Sequence, residues 1–279
     1  MIDVHTHVLA GIDDGARSPA ESVALATALA EDGVTTLAAT PHVNARFPTT
    51  PDEIASALAD ARRTFEAEDV PVAMVSGAEL AFDFVGRFSA HELRRLSLNG
   101  NGTLLIELPD AGWPRDVAAV LGELRDEGFR VLLAHPERNS EVQARPFILE
   151  PLVADGALVQ VTAAAVDGTT GRTATETGRL LVTRGLAHAI ATDAHGPLRG
   201  GGTLSSACRA TARPELARWL TRDAPQAIVD GLELPPRPED GRPGRDLDSG
   251  RSSAILDRAG WSSRVRSFLR GKPEEGPTT

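Results

Sequence analysis

Two histidines stand one residue apart near the start of the chain, in the segment MIDVHTHVLAGIDDGA. The residues from 2 to 8 alternate as in a β-strand, which places Asp3, His5 and His7 on one face. A strand that only built the core would gain nothing from two imidazoles side by side. The spacing therefore predicts that His5 and His7 form part of a binding site. Imidazole nitrogen is a common metal ligand, so a metal ion is the candidate.

Further nitrogen and oxygen ligands stand at the ends of the apolar segments that follow. The segments VTTLAATPH, VPVAMVSGAEL, TLLIEL, FRVLLAHPER and LAHAIATDAH each end near such a residue, whereas ALVQVT offers no strong ligand. The carboxyl ends of parallel strands meet at one face of a barrel, so these groups would surround one cleft. The predicted metal ligands are His5, His7, His42, Glu79, Glu107, His135, Asp193 and His195.

One histidine or glutamate at a strand end is more often a hydrogen-bonded structural residue than a ligand. A whole cluster of ionisable groups is costly to bury, and metal cations remove that cost. Imidazole and carboxylate without thiolate favour Mn, Fe or Zn, and the sequence does not choose among these three. Glu107, in the middle of the ligand order, is a candidate bridge between metals. His91 and His188 lie outside the pattern and are interpreted as structural.

Helix signals alternate with the apolar segments. Ser18 with Glu21 and Thr50 with Glu53 predict capping boxes at two helix starts, and Gly128 predicts a helix end. About seven short apolar strands alternate with amphipathic helices, which indicates a parallel sheet with helices outside. The predicted fold class is α/β, and the number of strands favours a closed or nearly closed barrel over an open doubly wound sheet.

Composition excludes several other functions. The chain has 279 residues, 41% of them hydrophobic, which is enough for one sizeable core. Its formal net charge of -10 argues against a nucleic-acid-binding surface. Cys208 is the only cysteine, so a thiolate metal cage is excluded, and Pro214 stands where a cysteine phosphatase needs an arginine. Neither a membrane-spanning run nor a secretory signal pattern is present, so we expect a cytoplasmic protein.

The sequence changes character after about residue 235. The segment PPRPEDGRPGRDLDSGR is rich in proline, glycine and charge, which is typical of a linker. The segment SSAILDRAGWSSRVRSFLRG beyond it is spaced loosely like an amphipathic helix with four arginines. We predict one metal-binding domain over residues 1–234 and a linker with a tail over residues 235–279. The tail helix would dock on the barrel or stay disordered, and contact with a partner or an anionic membrane is the alternative.

The motifs H-x-H, GIDDGA, TPH, G-x-E, HPER and D-A-H, in this order, resemble the PHP (polymerase and histidinol phosphatase) superfamily. GIDDGA and HPER resemble its bacterial protein-tyrosine phosphatases encoded with capsule and exopolysaccharide genes, the CpsB/CapC/YwqE type. The resemblance covers about residues 1–213. It implies a distorted (β/α)7 barrel with three metal ions, commonly manganese or iron, held by the eight ligands named above.

The resemblance also implies residues that hold the substrate phosphate. Arg138 of HPER matches one phosphate-binding arginine, and Arg199 is nearest to the place of a second one after D-A-H. The chain departs from the family pattern at Asn139 and Gly196, which follow HPER and D-A-H. These departures leave the expected metal ligands intact and concern the substrate.

The implied function is a metal-dependent phosphomonoesterase that acts on phosphotyrosine in proteins and is linked to the regulation of capsular or exopolysaccharide biosynthesis. Its metals would lower the pKa of the attacking water and stabilise both oxygens of an in-line displacement at phosphorus, with Arg138, Arg199 and Glu107 as catalytic residues. The implied partner is a phosphotyrosine protein such as a bacterial tyrosine kinase of polysaccharide export. Membrane contact is expected only through the partner or the tail, and an oligomer is compatible with the sequence.

Two alternatives stay open at this point. One is a phosphatase of histidinol phosphate or of another small phosphate ester. The other is a non-catalytic, metal-binding regulatory protein of the same fold. The loops after the early strands contain no long insertion that could build a closed lid, which favours an open cleft. Phe47, and Phe82 or Phe84, are candidate contacts for a phosphotyrosine ring, with burial in the core as the alternative for at least one of them.

Overall fold

A computed structural model describes residues 1–196 and 201–238 of the chain. In this part of the chain nine short strands are present, and all of their pairings are parallel. The strands are β1 Ile2–Thr6, β2 Thr36–Ala39, β3 His42–Val43, β4 Ala73–Ser76, β5 Glu79–Ala81, β6 Thr103–Glu107, β7 Arg130–Ala134, β8 Leu158–Thr162 and β9 Ala189–Ala191. Their parallel pairing confirms the predicted α/β class.

The strands form two hydrogen-bonded runs, β1-β2-β4 and β3-β5-β6-β7-β8-β9. Two contacts link these runs. The amide of Glu79 donates to the carbonyl of Pro41 at 3.0 Å, so β3 and β5 continue the pairing of β2 with β4. At the other edge β1 meets the segment after β9, where the amide of His7 donates to Ala194 O at 3.0 Å and the amide of Asp193 donates to His5 O at 2.9 Å.

Helices fill the connections between the strands. They are α1 Pro19–Glu31, α2 Pro51–Ala67, α3 Ala90–Leu96, α4 Val117–Asp126, α5 Ser140–Ala144, α6 Glu150–Ala154, α7 Ala163–Asp167, α8 Arg172–Thr183, α9 Leu204–Thr211, α10 Pro214–Arg218 and α11 Ala224–Asp230. A π-helical turn, Trp219–Asp223, joins the last two. Among the helices within the described ranges, none is both long enough and apolar enough to cross a membrane.

The helix starts follow the sequence signals closely. Thr50 and Glu53 form the predicted capping box at α2. At α1, Ser18 accepts the amide hydrogen of Glu21 as predicted, but the Glu21 carboxylate bonds the backbone and side chain of Arg17 instead of completing the box. The Arg17 guanidinium competes successfully for that carboxylate because both partners are charged and two of its N–H groups bind the carboxylate together.

The core consists of two packed clusters. The larger one joins strand residues such as Leu37, Leu80 and Leu133 to the apolar faces of the surrounding helices. The smaller one brings residues of several strands together with Ile228 and Val229 of α11. The helices therefore bury the sheet, which is the arrangement that a parallel sheet requires.

The described chain beyond α11 contacts the π-helical turn, α8 and the segment that precedes β9. Trp219 Nε1 donates to the carbonyl of Pro235 at 3.0 Å, and the guanidinium of Arg237 donates to Ala187 O and Val182 O at 2.6 and 2.7 Å. The remainder of the predicted tail, including its amphipathic helix, lies outside the described residues.

Candidate metal centre

The two histidines of β1 and its end face each other across a buried space. Their Nε2 atoms lie 3.2 Å apart, and both side chains are completely buried. His5 Nε2 lies 3.3 Å from Glu79 Oε2 and 3.3 Å from Asp193 Oδ1. His7 Nε2 lies 3.4 and 3.2 Å from the same two oxygens. Two imidazole nitrogens and two carboxylate oxygens thus converge on one point, which is a donor set suited to a divalent transition metal.

Two further groups of ligand atoms adjoin this one. In each of the three groups the ligand atoms all lie within 4.8 Å of one another. The groups are His5, His7, Glu79 and Asp193; His42, Glu79 and Glu107; and His7, Asp14, His42 and His195. Glu79 belongs to two of the groups, whereas Glu107 belongs to one. His135 lies beside them, with its Nε2 2.7 Å from Glu79 Oε1. The structure therefore brings all eight residues singled out from the sequence into one cluster.

Three buried atoms of this cluster form no hydrogen bond of acceptable geometry within the part of the chain that the structure describes. They are His42 Nδ1, Glu79 Oε2 and Asp193 Oδ1. His42 Nδ1 and Glu79 Oε2 are only 2.8 Å apart, but their relative orientation does not suit a hydrogen bond. Buried polar atoms are rarely left without a partner, because losing hydration without replacement is costly. Cations coordinated by these atoms would satisfy them, so the residues present fit a metal cluster.

The charges of the carboxylates support the same conclusion. Burial acts to raise the pKa of Glu79, but His5, His135 and His42 outweigh it and hold the pKa well below the ordinary value. Burial likewise opposes ionisation of Asp193, and neighbouring His5 and His7 again keep its pKa low. Both carboxylates are therefore anionic at neutral pH, as metal ligands must be.

The histidines respond to these anions. Burial would lower the pKa of His7, but its contacts with Asp13, Asp193 and Glu79 raise it well above the usual value. Burial also disfavours charge on His135, and the adjacent Glu79 nevertheless raises its pKa to about 9. The cluster thus has a strong demand for positive charge, which either protons or metal ions can meet.

Strand ends and strained turns position these ligands. His135 follows β7 with φ 29°, and Asp193 follows β9 with φ 54°. Positive φ is uncommon for residues with a side chain and marks functional sites when it is held by surrounding contacts. The turn at Asp193 is held by buried Asp3, whose carboxylate accepts the amide and hydroxyl hydrogens of Thr192. The turn after His135 is held by Glu137, which accepts the amide and hydroxyl hydrogens of Thr162.

The loop GIDDGA supplies two residues that the sequence analysis did not single out. Asp13 Oδ2 lies 2.7 Å from His7 Nδ1 and accepts the amide hydrogen of His42 at 3.0 Å. Asp14 belongs to the third ligand group, 3.5 Å from His42 Nε2 and 3.4 Å from His195 Nε2. Two adjacent aspartates in the loop that follows an H-x-H strand were the signal that could have identified them. Gln160 of β8 is a third residue that was not singled out from the sequence.

Of the two arginines predicted to bind phosphate, the structure describes only one. Arg138 lies next to the cluster, and its Nη2 bonds Asp193 Oδ2 while 45% of its side chain stays exposed. Arg199 lies outside the described residues. Asn139 has a structural role: its side-chain oxygen caps α5 by accepting the amide hydrogens of Glu141 and Val142.

The phenylalanines predicted to contact a phosphotyrosine ring lie in different surroundings. Phe47 is half-buried, and its ring stacks on that of His42 with centroids 6.0 Å apart. Phe84 is buried in the core and Phe82 packs against it, which is the alternative foreseen for them. Beside Phe47, an open groove of about 490 Å³ runs between residues 10–12 and the face of α2 that carries Ser56 and Ala57. Phe47 lines this groove and also contacts His42, so the groove lies next to the ligand cluster.

The parallel α/β sheet gathers histidines and carboxylates beyond the ends of its strands, in groups that are able to hold metal ions. This arrangement is typical of metal-dependent enzymes. The family model described as "Capsular polysaccharide synthesis, CpsB/CapC" matches residues 1–224. The chain therefore belongs to the CpsB/CapC family, which confirms the resemblance read from the motifs.

Relatives in this family carry names that describe an activity. The tyrosine-protein phosphatase YwqE of Bacillus subtilis (strain 168) is 33% identical over 196 residues, which are 70% of this chain and 77% of that protein. The putative tyrosine-protein phosphatase CapC of Staphylococcus aureus is 29% identical over 198 residues, 70% of this chain and 77% of that one. The tyrosine-protein phosphatase CpsB of Streptococcus pneumoniae is 27% identical over 203 residues, 70% and 83% of the two chains.

A solved structure agrees with these relatives. It comes from work describing YwqE of Bacillus subtilis and CpsB of Streptococcus pneumoniae as unique metal-dependent tyrosine phosphatases. It superposes with a TM-score of 0.76 at 29% identity and covers 86% of this chain and 100% of that one. A beta-aspartyl dipeptidase from Fervidobacterium islandicum superposes with a TM-score of 0.50 at 13% identity and shares the fold alone.

Proposed function

We propose that this chain is a metal-dependent protein-tyrosine phosphatase that serves the regulation of capsular or exopolysaccharide synthesis. The observation that carries the proposal is the set of three adjoining ligand groups, which share His7, His42 and Glu79. The relatives named tyrosine phosphatases and the metal-dependent solved structure support it. The strand order and the contacts of β1 with the segment after β9 support a distorted (β/α)7 barrel over residues 1–234.

Three divalent ions match the three ligand groups. We assign the bridging carboxylate to Glu79 instead of Glu107, because Glu79 belongs to two groups and its two oxygens face different histidines. Asp14 joins the ligand set. The proposed ligands are His5, His7, Asp14, His42, Glu79, Glu107, His135, Asp193 and His195. Mn²⁺, Fe and Zn²⁺ all suit this mixture of imidazole and carboxylate.

When bound, such ions lower the pKa of coordinated water and neutralise charge on a phosphate ester. The residues of the chain then bind and orient the substrate. Arg138 is fixed on one side by Asp193 and is exposed on the other, so its remaining N–H groups are free to bind phosphate oxygens in a fork. Arg199 is the proposed second arginine.

An open approach favours a protein substrate. The groove beside Phe47 gives a polypeptide room to lie next to the ligand cluster, and the Phe47 ring offers an apolar edge to a phosphotyrosine ring. A phenolate is also a better leaving group than an alkoxide and needs no strong general acid. We therefore propose phosphotyrosine proteins as substrates, a tyrosine kinase of polysaccharide export as the partner, and the cytoplasm as the location.

Matched peptides test the substrate. The protein is stripped with a chelator and reloaded with Mn²⁺, Fe²⁺ or Zn²⁺ in turn, and kcat/KM is measured on one peptide sequence bearing phosphotyrosine or phosphoserine. Histidinol phosphate is measured in parallel. We expect metal-dependent hydrolysis with a clear preference for phosphotyrosine. Equal or reversed values would contradict the tyrosine assignment, a preference for histidinol phosphate would establish the small-substrate alternative, and inactivity with every metal would leave a metal-binding regulatory protein.

A further inference from the structure

Gln160 of β8 contacts two of the proposed metal ligands, His5 and His135, without itself belonging to a ligand group. Its side chain is completely buried. Gln160 Oε1 accepts the backbone amide hydrogen of His135 at 3.2 Å and lies 3.1 Å from His5 Nδ1. β8 is the strand whose sequence offered no strong ligand, so this amide was not recognised in the sequence. One neutral oxygen thus serves two ligand residues that come from different strands.

The orientation of the Gln160 amide follows from its partners. A backbone N–H can only donate a hydrogen bond, so the atom facing His135 N must be the amide oxygen and not the nitrogen. The same oxygen faces His5 Nδ1, and two acceptors cannot bond each other. His5 Nδ1 therefore carries the hydrogen and donates it. As a result Nε2, the atom that faces His7, Glu79 and Asp193, is the nitrogen of His5 left to bind a metal ion.

His7 is prepared in the same way by a different group. Its Nδ1 faces the carboxylate of Asp13 at 2.7 Å, which leaves Nε2 directed into the cluster. A histidine that ligates a metal usually donates its other N–H to such a partner, which fixes the tautomer and the ring orientation. The two imidazoles of H-x-H therefore have unlike supports, an anionic one for His7 and a neutral one for His5.

Gln160 also holds a strained part of the backbone. His135 has φ 29° and ψ 52°, an uncommon conformation for a residue with a side chain, and its amide hydrogen is bonded by Gln160. The amide nitrogen of Gln160 is itself buried and has no hydrogen-bond partner among the described residues. Keeping an unsatisfied polar group costs stability, so a residue that served only the core would be better replaced by leucine or methionine.

We propose that Gln160 is a positioning residue of the metal centre, which accepts the Nδ1 hydrogen of His5, so that Nε2 faces the metal site, and which fixes the placement of His135. The inference rests on the proposed metal set. It predicts that the function of residue 160 lies in hydrogen-bond acceptance and not in volume. Gln160→Leu removes the acceptor with little loss of volume, whereas Gln160→Glu keeps an oxygen at the same place and makes it anionic.

The experiment measures metal affinity directly. Each metal-free protein is titrated with Mn²⁺, and free Mn²⁺ is followed by its paramagnetic resonance signal. We expect Gln160→Leu to weaken the tightest Mn²⁺ binding by about 10- to 100-fold, the usual effect of removing such a support. Gln160→Glu should bind Mn²⁺ at least as tightly as wild type, because a carboxylate makes the imidazole a stronger donor. Val159→Ala, a buried neighbour on β8, is the control for simple destabilisation and should lose stability without losing affinity.

A second measurement follows the His5 ring in protein loaded with diamagnetic Zn²⁺ and labelled with ¹⁵N histidine. The Nδ1–H signal of His5 should be protected from solvent exchange in wild type and in Gln160→Glu, and should exchange rapidly in Gln160→Leu. Wild-type protein that fails to bind Mn²⁺ would overturn the proposed metal set together with this inference. Wild-type binding with equal affinity in Gln160→Leu would overturn the role of Gln160 alone, as would an unchanged His5 Nδ1–H signal in that variant.

Discussion

The Nε2 atoms of His5 and His7 face each other at 3.2 Å, and each ring has its Nδ1 turned to a separate acceptor, Gln160 or Asp13. Two imidazoles supported in this way direct two Nε2 atoms at the same point. Two bare nitrogen atoms would repel each other there unless a proton or a metal ion lies between them. Glu79 and Asp193 add negative charge at that point, so residues from three separate parts of the sequence form a group that is able to hold a cation.

The first prediction compares how much bound metal is lost when Glu79 or Glu107 is replaced. Glu79→Ala should lose at least two of the three bound ions, because Glu79 belongs to two ligand groups, and it should abolish most activity. Glu107→Ala should lose one ion and retain the other two. Metal content after reloading with Mn²⁺ and gel filtration is the measurement, and Glu176→Gln, an exposed residue of α8, is the control. An equal loss of metal in both variants would contradict Glu79 as the bridge.

The second prediction concerns Arg138. Arg138→Ala should lower kcat/KM on a phosphotyrosine peptide by about 100- to 1000-fold, because a charged donor to the transferring phosphate is lost. Metal content should stay near the wild-type value, since Asp193 keeps its metal-facing oxygen Oδ1 and loses only the partner of Oδ2. Arg145→Ala, which removes an exposed arginine paired with Glu141, is the matched control. Undiminished kcat/KM in Arg138→Ala would place phosphate binding on another residue.

The third prediction tests the close packing of the GIDDGA loop. A Cβ added at Gly15 would lie 2.5 Å from His7 Cβ and closer still to the His7 carbonyl oxygen, so the backbone must move. Gly15→Ala should cost about 2 kcal/mol of unfolding free energy, as overpacking in a core typically does. Because Asp13 and Asp14 are on the same loop, Mn²⁺ affinity should fall as well.

Gly122→Ala is the control for that loop variant. Gly122 lies within α4, and its nearest neighbour is the flexible Arg125 side chain at 3.9 Å. Alanine there should stabilise the protein by about 0.5–1 kcal/mol because it reduces the freedom of the unfolded chain. Denaturant unfolding of both variants measures the two opposite effects, and similar curves for them would refute the packing argument.

Much of this cluster could be predicted because its residues follow the ends of strands in the sequence. The placement of His42 and His135 follows from the strand pattern alone, since parallel strands bring their carboxyl ends together whatever the loop conformations. The proposal of Glu79 as the bridging carboxylate needed the structure, because bridging depends on which oxygen faces which histidine. Asp13 and Gln160 were missed because the importance of each lies in the histidine that it contacts. Asp13 is only 6 residues from His7, so the sequence pattern could have shown it, whereas 155 residues separate Gln160 from His5 and a sequence does not show pairing at that distance.

The fold shows the same division. Helix starts followed from caps, as at Thr50 and Glu53, because capping is a contact over three residues. The Ser18 box failed halfway because Arg17, one residue earlier, took the Glu21 carboxylate. Such competition depends on side-chain conformations and not on the motif.

The fourth prediction concerns pH and His188, a histidine that belongs to none of the three ligand groups. His188 accepts the backbone amide hydrogen of Val159 on Nδ1 at 3.1 Å and lies beside Trp219. Burial, with a smaller contribution from the charge of Arg237, lowers the pKa of His188 from 6.5 to about 4. The unfolded chain therefore takes up a proton near pH 6.5 that the folded protein refuses until about pH 4.

The sign of the effect follows from this difference. The stability contributed by neutral His188 is complete above pH 6.5 and is lost progressively as the pH falls toward 4. Between pH 7.5 and pH 5.0 the loss should be about 2 kcal/mol. In His188→Asn the side-chain oxygen offers an acceptor for the Val159 amide but does not titrate. The free energy of unfolding of both proteins, measured in guanidinium at the two pH values, gives the wild-type minus variant difference, in which the titration of all other groups cancels. That difference should shrink by about 2 kcal/mol on acidification, and parallel pH dependences would show that His188 is free to protonate in the folded state.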